Sequence, residues 1–472
     1  MVFSSLEFLL LFLPITTALY YLIPKKLRMV RNILLAALSL LFYAWGEPYF
    51  VLVMIGSIFI NYLLALFVSS EKIKRKKLIL ALTVAVNVGL LFVFKYLNFT
   101  ADTVNAIAGS DVLNIRHIAL PIGISFFTFQ AMSYVIDVYR GRGTAQKNPL
   151  NVALYISFFP QLIAGPIVRY ETIAEQINGR NETYEGFCTG AKRFCIGFIK
   201  KVLIANNIAL IADRAFGMTS LPVTFAWLGA ISYSLQILFD FSGYSDMAIG
   251  LGSMFGFRFN ENFDYPYISK SITEFWRRWH ISLGTWFRDY VYIPLGGSKV
   301  GTGRHIFNLF VVWALTGLWH GAEWSFIVWG LMYFVLLVLE KFIIHPERFK
   351  NAFAITLYRI FTLLCVMLGW VMFRAENTQS GLAYIGNMFG IGSGGAGFDV
   401  TFAYIAQNSV WLIFAVIACM PVFVTIRKRL ESKDSLLIAY DTVELVSIGL
   451  LFLIAFSFIV AGANNPFIYF NF

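Results

Sequence analysis

Apolar positions in this chain gather into long uncharged runs instead of alternating with polar ones. Such runs cover residues 8–24, 48–70, 78–94, 118–136, 148–168, 215–239, 306–322, 324–339, 400–426 and 445–472. A helix needs about 20 apolar residues to cross the hydrocarbon core, and most of these runs approach or exceed that length. Two shorter runs, 32–46 and 360–373, reach it if flanking Lys and Arg side chains snorkel to the interface. The pattern predicts an all-α, polytopic integral membrane protein with roughly ten to thirteen transmembrane or re-entrant helices. No linker divides the chain, so a single membrane domain over residues 1–472 is expected, closing in a short tail at 464–472.

Composition agrees with this reading. Hydrophobic residues make up 58% of the chain and charged residues 13%, against about 25% charged in soluble domains. The net charge of +11 implies no nucleic-acid partner, because basic loops facing an anionic inner leaflet account for it. The first run lacks the basic leader and small-residue cleavage site of a signal peptide. Its charges follow it, as Lys25, Lys26, Arg28 and Arg31, which predicts residue 1 outside and the 25–31 loop in the cytoplasm. Counting onward puts "EKIKRKK" (71–77), Arg140, Arg142 and Lys147, and "RKRLESK" (427–433) on the same inner side. One more crossing leaves the tail, and Tyr469 with it, at the outer face. Four cysteines, Cys188, Cys195, Cys365 and Cys419, lack paired metal spacing and read as buried small hydrophobes. The stretch 185–217 has helical composition but carries Lys192, Arg193, Lys200 and Lys201, which predicts an oblique or interfacial helix.

The least membrane-like stretch is "YPYISKSITEFWRRWHISLGTWFRDYVYIPLGG" (265–297). Read as one helix from Thr273 to Val291, it places Trp276, His280, Leu283 and Phe287 on one face and turns Arg277, Ser282 and Arg288 elsewhere. Two readings fit. One is an interfacial amphipathic helix; the other is an element dipping into the bundle that carries His280 to a cavity.

Among five histidines, His117, His305 and His345 sit at segment ends and read as interfacial. His320 differs, lying in "WALTGLWHGAEWSFIVWG" (313–330) between tryptophans and small residues. A charged group at the bilayer centre costs about 2.5–3.5 kcal/mol on insertion scales, whereas a neutral imidazole costs less. A hydrogen-bonded core histidine is therefore one reading. The other is a general base, with Gly317 and Gly321 leaving room for a substrate to approach. A neutral imidazole in an apolar channel can take the proton of a hydroxyl attacking a carbonyl. Asp240 and Asp246, in "LFDFSGYSDMAIG" (238–250), are intramembrane carboxylates that either line a polar path or pair with basic residues. No serine-hydrolase elbow, zincin motif or dinucleotide fingerprint is present.

The series "ALPIGISFFTFQAMSYVIDVYRG" (119–141), "FFPQLIAGPIVRY" (158–170), "DFSGYSDMAIGLG" (240–252), "FWRRWHISLGTWFRDYVYIPLGG" (275–297) and "LTGLWHGAEW" (315–324) resembles the membrane-bound O-acyltransferase family. Within it, the chain is most similar to the bacterial branch of alginate and cell-wall O-acetyltransferases, related to the teichoic-acid D-alanyl transferase. The resemblance implies His320 as the buried essential histidine and His280 as a second active-site position. Trp319, Trp276, Arg288, Asp289, Asp240 and Asp246 are then candidates for channel lining or support. It implies acetyl-CoA as donor substrate, with no tightly bound cofactor or metal, and an extracytoplasmic polysaccharide as final acceptor. An exported hydrolase-like partner of the SGNH type would receive the acyl group, and the chain would lie in a bacterial inner membrane. The ending "FIYFNF" is similar to an acyl-accepting motif in which the tyrosine, here Tyr469, holds the acyl group.

The chemistry of such a carrier is sound. A phenol of pKa about 10 leaves almost as readily as a thiol of about 8.5, so acetyl on Tyr469 would keep most of a thioester's transfer potential. Moving the phenol proton to an imidazole is uphill by about 3.5 pK units, roughly 5 kcal/mol. From the residues alone, an aromatic interfacial belt explains the same tail. A D-alanyl transferase, a transporter or flippase, and a structural scaffold remain the alternative functions; the absence of an evident internal repeat disfavours repeat-built transporters.

Overall fold

The computed structural model describes residues 1–472 apart from 393, 463, 464, 466, 467 and 469–472. Every regular element among the described residues is helical. Among the described residues, eight helices are long and apolar enough to cross a membrane, nine if the bent pair Phe398–Gln407 and Ser409–Ala418 forms one span. A shorter apolar helix covers Phe8–Leu22. The apolar runs 118–136 and 148–168 build shorter helices, Ile124–Tyr139, Pro149–Ser157 and Phe159–Leu162. Pro149 and Pro160 each fall in a first helical turn, where a missing N–H leaves no bond unmade.

The chain forms two compact units, one of residues 1–194 and 247–260, the other of 195–246 and 261–472. In the first unit, Ile124–Tyr139 is buried on all sides from Ile124 to Val138, as expected of a helix without a polar face. Phe8, Phe12, Phe42 and Phe159 stack into one aromatic layer with centroids 5.2–6.2 Å apart. Asn61 and Asn87 exchange side-chain amide bonds of 3.1 and 2.8 Å between helices.

One carboxylate organises the basic end of this unit. Glu182 is buried and receives Arg28, Arg31, Arg180 and the Tyr20 hydroxyl. Burial would raise its pKa, but the hydrogen bonds from Arg28 and Tyr20 outweigh that and hold the carboxyl at about 2. Lys25 Nζ donates to the Glu182 carbonyl at 2.9 Å, and Asn148 Nδ2 lies 3.0 Å from Met29 Sδ. The segments 25–31 and 140–148 therefore adjoin at Met29 and Asn148.

In the second unit, Ile211, Phe225, Val371, Tyr384 and Met388 head a buried apolar cluster. For 185–217, expected to be oblique or interfacial, the structure shows a long and largely buried helix. Tyr184–Phe216 is one 33-residue helical run whose apolar window is 72% buried, with a π-helical turn at Lys200–Ala205. Two of its lysines are neutralised by the helix Val223–Met254: Lys201 Nζ meets Asp240 Oδ1 at 2.5 Å and Lys200 Nζ meets Asp246 Oδ2 at 2.6 Å. Gly243 permits the approach, because a Cβ there would lie 2.8 Å from the Gly197 carbonyl oxygen. Buried charges are tolerated when paired in this way. Cys188 is exposed and only Cys419 of the four cysteines is buried, so the reading of all four as buried is also corrected.

Candidate active site

The stretch 265–297 is not one helix. It breaks into Ile272–Arg278 and Ile281–Phe287, and the joint is His280 itself, in left-handed conformation with φ 45°. Such a backbone is uncommon outside glycine and needs its surroundings to enforce it. Two anchors do so. At the front, Ser271 Oγ accepts from Glu274 N, while the buried Glu340 carboxylate accepts from Ile272 N and Thr273 N at 2.7 and 2.8 Å; negative charge there suits a helix N-terminus. At the joint, the buried Asn262 takes over.

Asn262 Nδ2 donates to Ser245 Oγ at 3.0 Å, which orients the amide and leaves Oδ1 as acceptor. That oxygen receives Ser282 N at 3.2 Å and Ser282 Oγ at 2.8 Å, and faces His280 Nδ1 at 3.2 Å. Ser282, expected on another face, thus shares an acceptor with His280. An amide oxygen can only accept, so Nδ1 of His280 carries the proton and Nε2 keeps the lone pair. His280 is 2% exposed, and its Nε2 has no hydrogen-bond partner among the described residues. Burial first, and the neighbouring His320 second, push its pKa well below the usual range. The imidazole is held neutral with its base nitrogen uncommitted.

His280 lines a cavity of about 610 Å³ together with Trp276, Arg277, Arg288, Thr316 and Lys341. The expectation that Arg277 and Arg288 point elsewhere is corrected: breaking the helix at His280 rotates the two halves independently, so arginines and aromatics meet around one space. Arg288 forks onto the buried Asp289 at 2.8 and 3.2 Å. Arg277 and Lys341 form no ion pair among the described residues, and both also line an adjoining cavity of about 590 Å³.

His320 ends the helix Thr302–His320. It is 6% exposed, and its Nδ1 lies 2.8 Å from the Thr316 carbonyl oxygen, which again leaves Nε2 as the basic nitrogen. The rings of Trp319, Trp329 and Phe373 surround it at 4.9, 4.9 and 5.4 Å. Trp319 also lies 6.0 Å from His280, and Trp276 lies 5.6 Å from Trp329, so one aromatic layer joins the two histidines. The glycines beside His320 do not leave room for a substrate. A Cβ at Gly317 would lie 2.6 Å from the Phe326 carbonyl oxygen and one at Gly321 2.1 Å from the Phe326 ring. They let the helix Trp324–Leu339 pack closely and so wall in the imidazole. His305, expected at an interface, is buried and bonded through Nε2 to the Tyr292 hydroxyl at 2.7 Å.

Asp240 and Asp246 sit in the ion pairs with Lys201 and Lys200, and neither lines the cavity. Asp240 has a further partner: its Oδ2 accepts from Ile468 N at 2.9 Å. Tyr469 lies outside the described residues. Asn262, Thr316, Glu340 and Lys341 were not singled out from the sequence, and Arg277 was placed on another face. Asn262 and Glu340 act on partners 18 and 68 residues away, a separation that carries no periodic signal.

Comparison with known proteins follows the same lines. The family model described as MBOAT, membrane-bound O-acyltransferase family, matches residues 42–375. A probable alginate O-acetylase, AlgI, of Pseudomonas putida is 47% identical over 400 residues, covering 83% of this chain and 81% of that protein. The peptidoglycan O-acetyltransferase of Helicobacter pylori is 34% identical over 521 residues, covering 100% of this chain and 98% of that one. The teichoic acid D-alanyltransferase of Bacillus subtilis is 34% identical over 234 residues, 47% of this chain and 59% of that one. The two buried histidines lie in a chain that belongs to the membrane-bound O-acyltransferase family and is an O-acyltransferase.

Proposed function

We propose that this chain moves an acetyl group from cytoplasmic acetyl-CoA, through Tyr469, toward an extracytoplasmic polysaccharide. The observation that carries the reading is His280: a buried, neutral imidazole with an uncommitted Nε2, set on a cavity that also presents Arg277 and Lys341. Two cations that form no ion pair within 4 Å among the described residues suit the phosphates of a nucleotide-bearing thioester. The names of the relatives, an alginate O-acetylase and a peptidoglycan O-acetyltransferase, support acetyl as the group and a polysaccharide as the acceptor.

In the proposed step, Nε2 of His280 or His320 accepts the Tyr469 phenol proton as the phenol oxygen attacks the thioester carbon. The C–S bond breaks, the C–O bond forms, and the proton passes to the departing thiolate. The phenyl ester then gives its acetyl group to a hydroxyl, on the polymer or on an exported SGNH-type partner, and the phenol is regenerated. The juxtaposed segments 25–31 and 140–148 support a common cytoplasmic side for them, and with it the reading of both termini as extracytoplasmic in a bacterial inner membrane.

The test is mass spectrometry of the C-terminal peptide after purified protein has met acetyl-CoA, with His320→Ala and Tyr469→Phe alongside. An acetyl group on Tyr469 that disappears in His320→Ala is the expected result. An unmodified tail in a preparation that still acetylates a hydroxyl acceptor would replace the carrier with direct transfer. Labelling with a D-alanyl donor but not with acetyl-CoA would change the acyl group.

A further inference from the structure

The buried pair Lys201–Asp240 has more partners than an ion pair needs. Lys201 Nζ contacts Asp240 Oδ1 at 2.5 Å and donates to Asn206 Oδ1 at 2.8 Å. Both side chains of the pair are 3% exposed or less. Asn206 Nδ2 in turn donates to Asn465 Oδ1 at 3.1 Å, and Asp240 Oδ2 accepts the main-chain N–H of Ile468. Ile468 is itself buried at 8% exposure. Two bonds from one charged cluster thus reach two residues of the C-terminal segment, 228 and 259 positions away in sequence.

We propose that Asp240 and Asn206, held by Lys201, are positioning residues that dock the C-terminal segment beside the acyl-transfer site. Three observations converge. The bond at residue 468 is made to the backbone, so it fixes the chain there without using the Ile468 side chain, and the next residue in sequence is Tyr469. A charge-assisted acceptor in a buried setting is about twice as strong as a neutral one, which suits a segment that must stay seated through a transfer cycle. Asp240 also immediately precedes Phe241, whose ring packs edge-on against His280 at 4.6 Å, so the dock and a ring contact of the candidate base occupy the same turn of one helix.

The role in acyl transfer rests on the carrier reading above; the dock itself does not. The test uses the full chain in detergent or nanodiscs, with hydrogen exchange of the Ile468 amide read from overlapping C-terminal peptides and acetyl occupancy of Tyr469 read from the same digests. Removing Asp240 alone would strand Lys201 in the interior, so the informative variant is Lys201→Met with Asp240→Leu, which removes charge and acceptor together. It should speed exchange at Ile468 at least tenfold and lower Tyr469 acetylation, with the thermal midpoint and elution profile retained. Lys201→Met with Asp240→Asn restores an uncharged acceptor and should recover most of the protection, which packing alone would not do. Asn206→Ala should give a smaller loosening. Unchanged exchange in the double variant, or undiminished Tyr469 acetylation once protection is lost, overturns the proposal. Protection that depends on Asp240 in a protein whose Tyr469 is never acetylated supports the dock and removes the carrier reading instead.

Discussion

Asn262 Oδ1 faces His280 Nδ1 at 3.2 Å while accepting two hydrogen bonds from Ser282. One amide oxygen therefore sets both the tautomer of the candidate base and the left-handed turn that presents it. Asn262→Ala should leave the helices intact but let the imidazole rotate. A misplacement of about 1 Å can cost on the order of 10²-fold in rate, so kcat for acyl transfer should fall by about that factor with the donor KM little changed. A loss confined to KM would assign Asn262 to donor binding.

Because burial and the nearby His320 lower the His280 pKa, the neutral form is already the dominant one at the usual imidazole pKa of about 6.5. A base is active when deprotonated, so transfer should run level from about pH 6 to pH 8 and decline only as acidity approaches the lowered value. A pH–rate profile with an inflection near 6.5 would mean the working imidazole is exposed to water. His280→Ala should lower the plateau by about 10²–10⁴-fold, the usual contribution of a general base.

Arg277 and Lys341 should govern the donor and not the chemistry. Hydrogen bonds to charged groups contribute about 1.5–3 kcal/mol each, so Arg277→Ala or Lys341→Ala should raise the acetyl-CoA KM by about 10–100-fold at similar kcat. Wild-type KM should also rise with ionic strength, because exposed charges are screened. Steady-state kinetics at two salt concentrations separate this from a loss of folding.

Glu182 is a stability residue. Removing one partner of a buried ion pair costs about 3–5 kcal/mol, so Glu182→Gln should lower the thermal midpoint strongly in any detergent that preserves the wild type. The folded carboxyl titrates at about 2, below the unfolded value of about 4.3. Its stabilisation is therefore complete above the unfolded value and is lost as pH falls through about 2. Unfolding scans down to pH 3 check the sign: wild type should narrow its lead over Glu182→Gln only in acid.

Much of the architecture was legible in the apolar runs, because a helix in lipid must satisfy its own backbone and can do so only with about 20 apolar residues. His320 stood out for the same reason, as a polar ring between tryptophans in a run that otherwise avoids polarity. In two stretches local composition does not decide. The break within 273–291 and the burial of 185–217 both depend on partners far along the chain. Asn262 breaks the first by offering a better acceptor at His280; Asp240 and Asp246 keep the second buried by neutralising Lys201 and Lys200.

Sequence alone determined the class of molecule, the recurrence of membrane segments and the two histidines worth testing, since each follows from residue type and short-range spacing. The tertiary structure decided which imidazole nitrogen is basic, that arginines and aromatics share the His280 cavity, that Gly317 and Gly321 close helices together and do not open space, and that the carboxylate of Asp240 reaches the backbone of Ile468. Each of those depends on a contact between residues far apart in the chain, and no periodicity encodes such a contact.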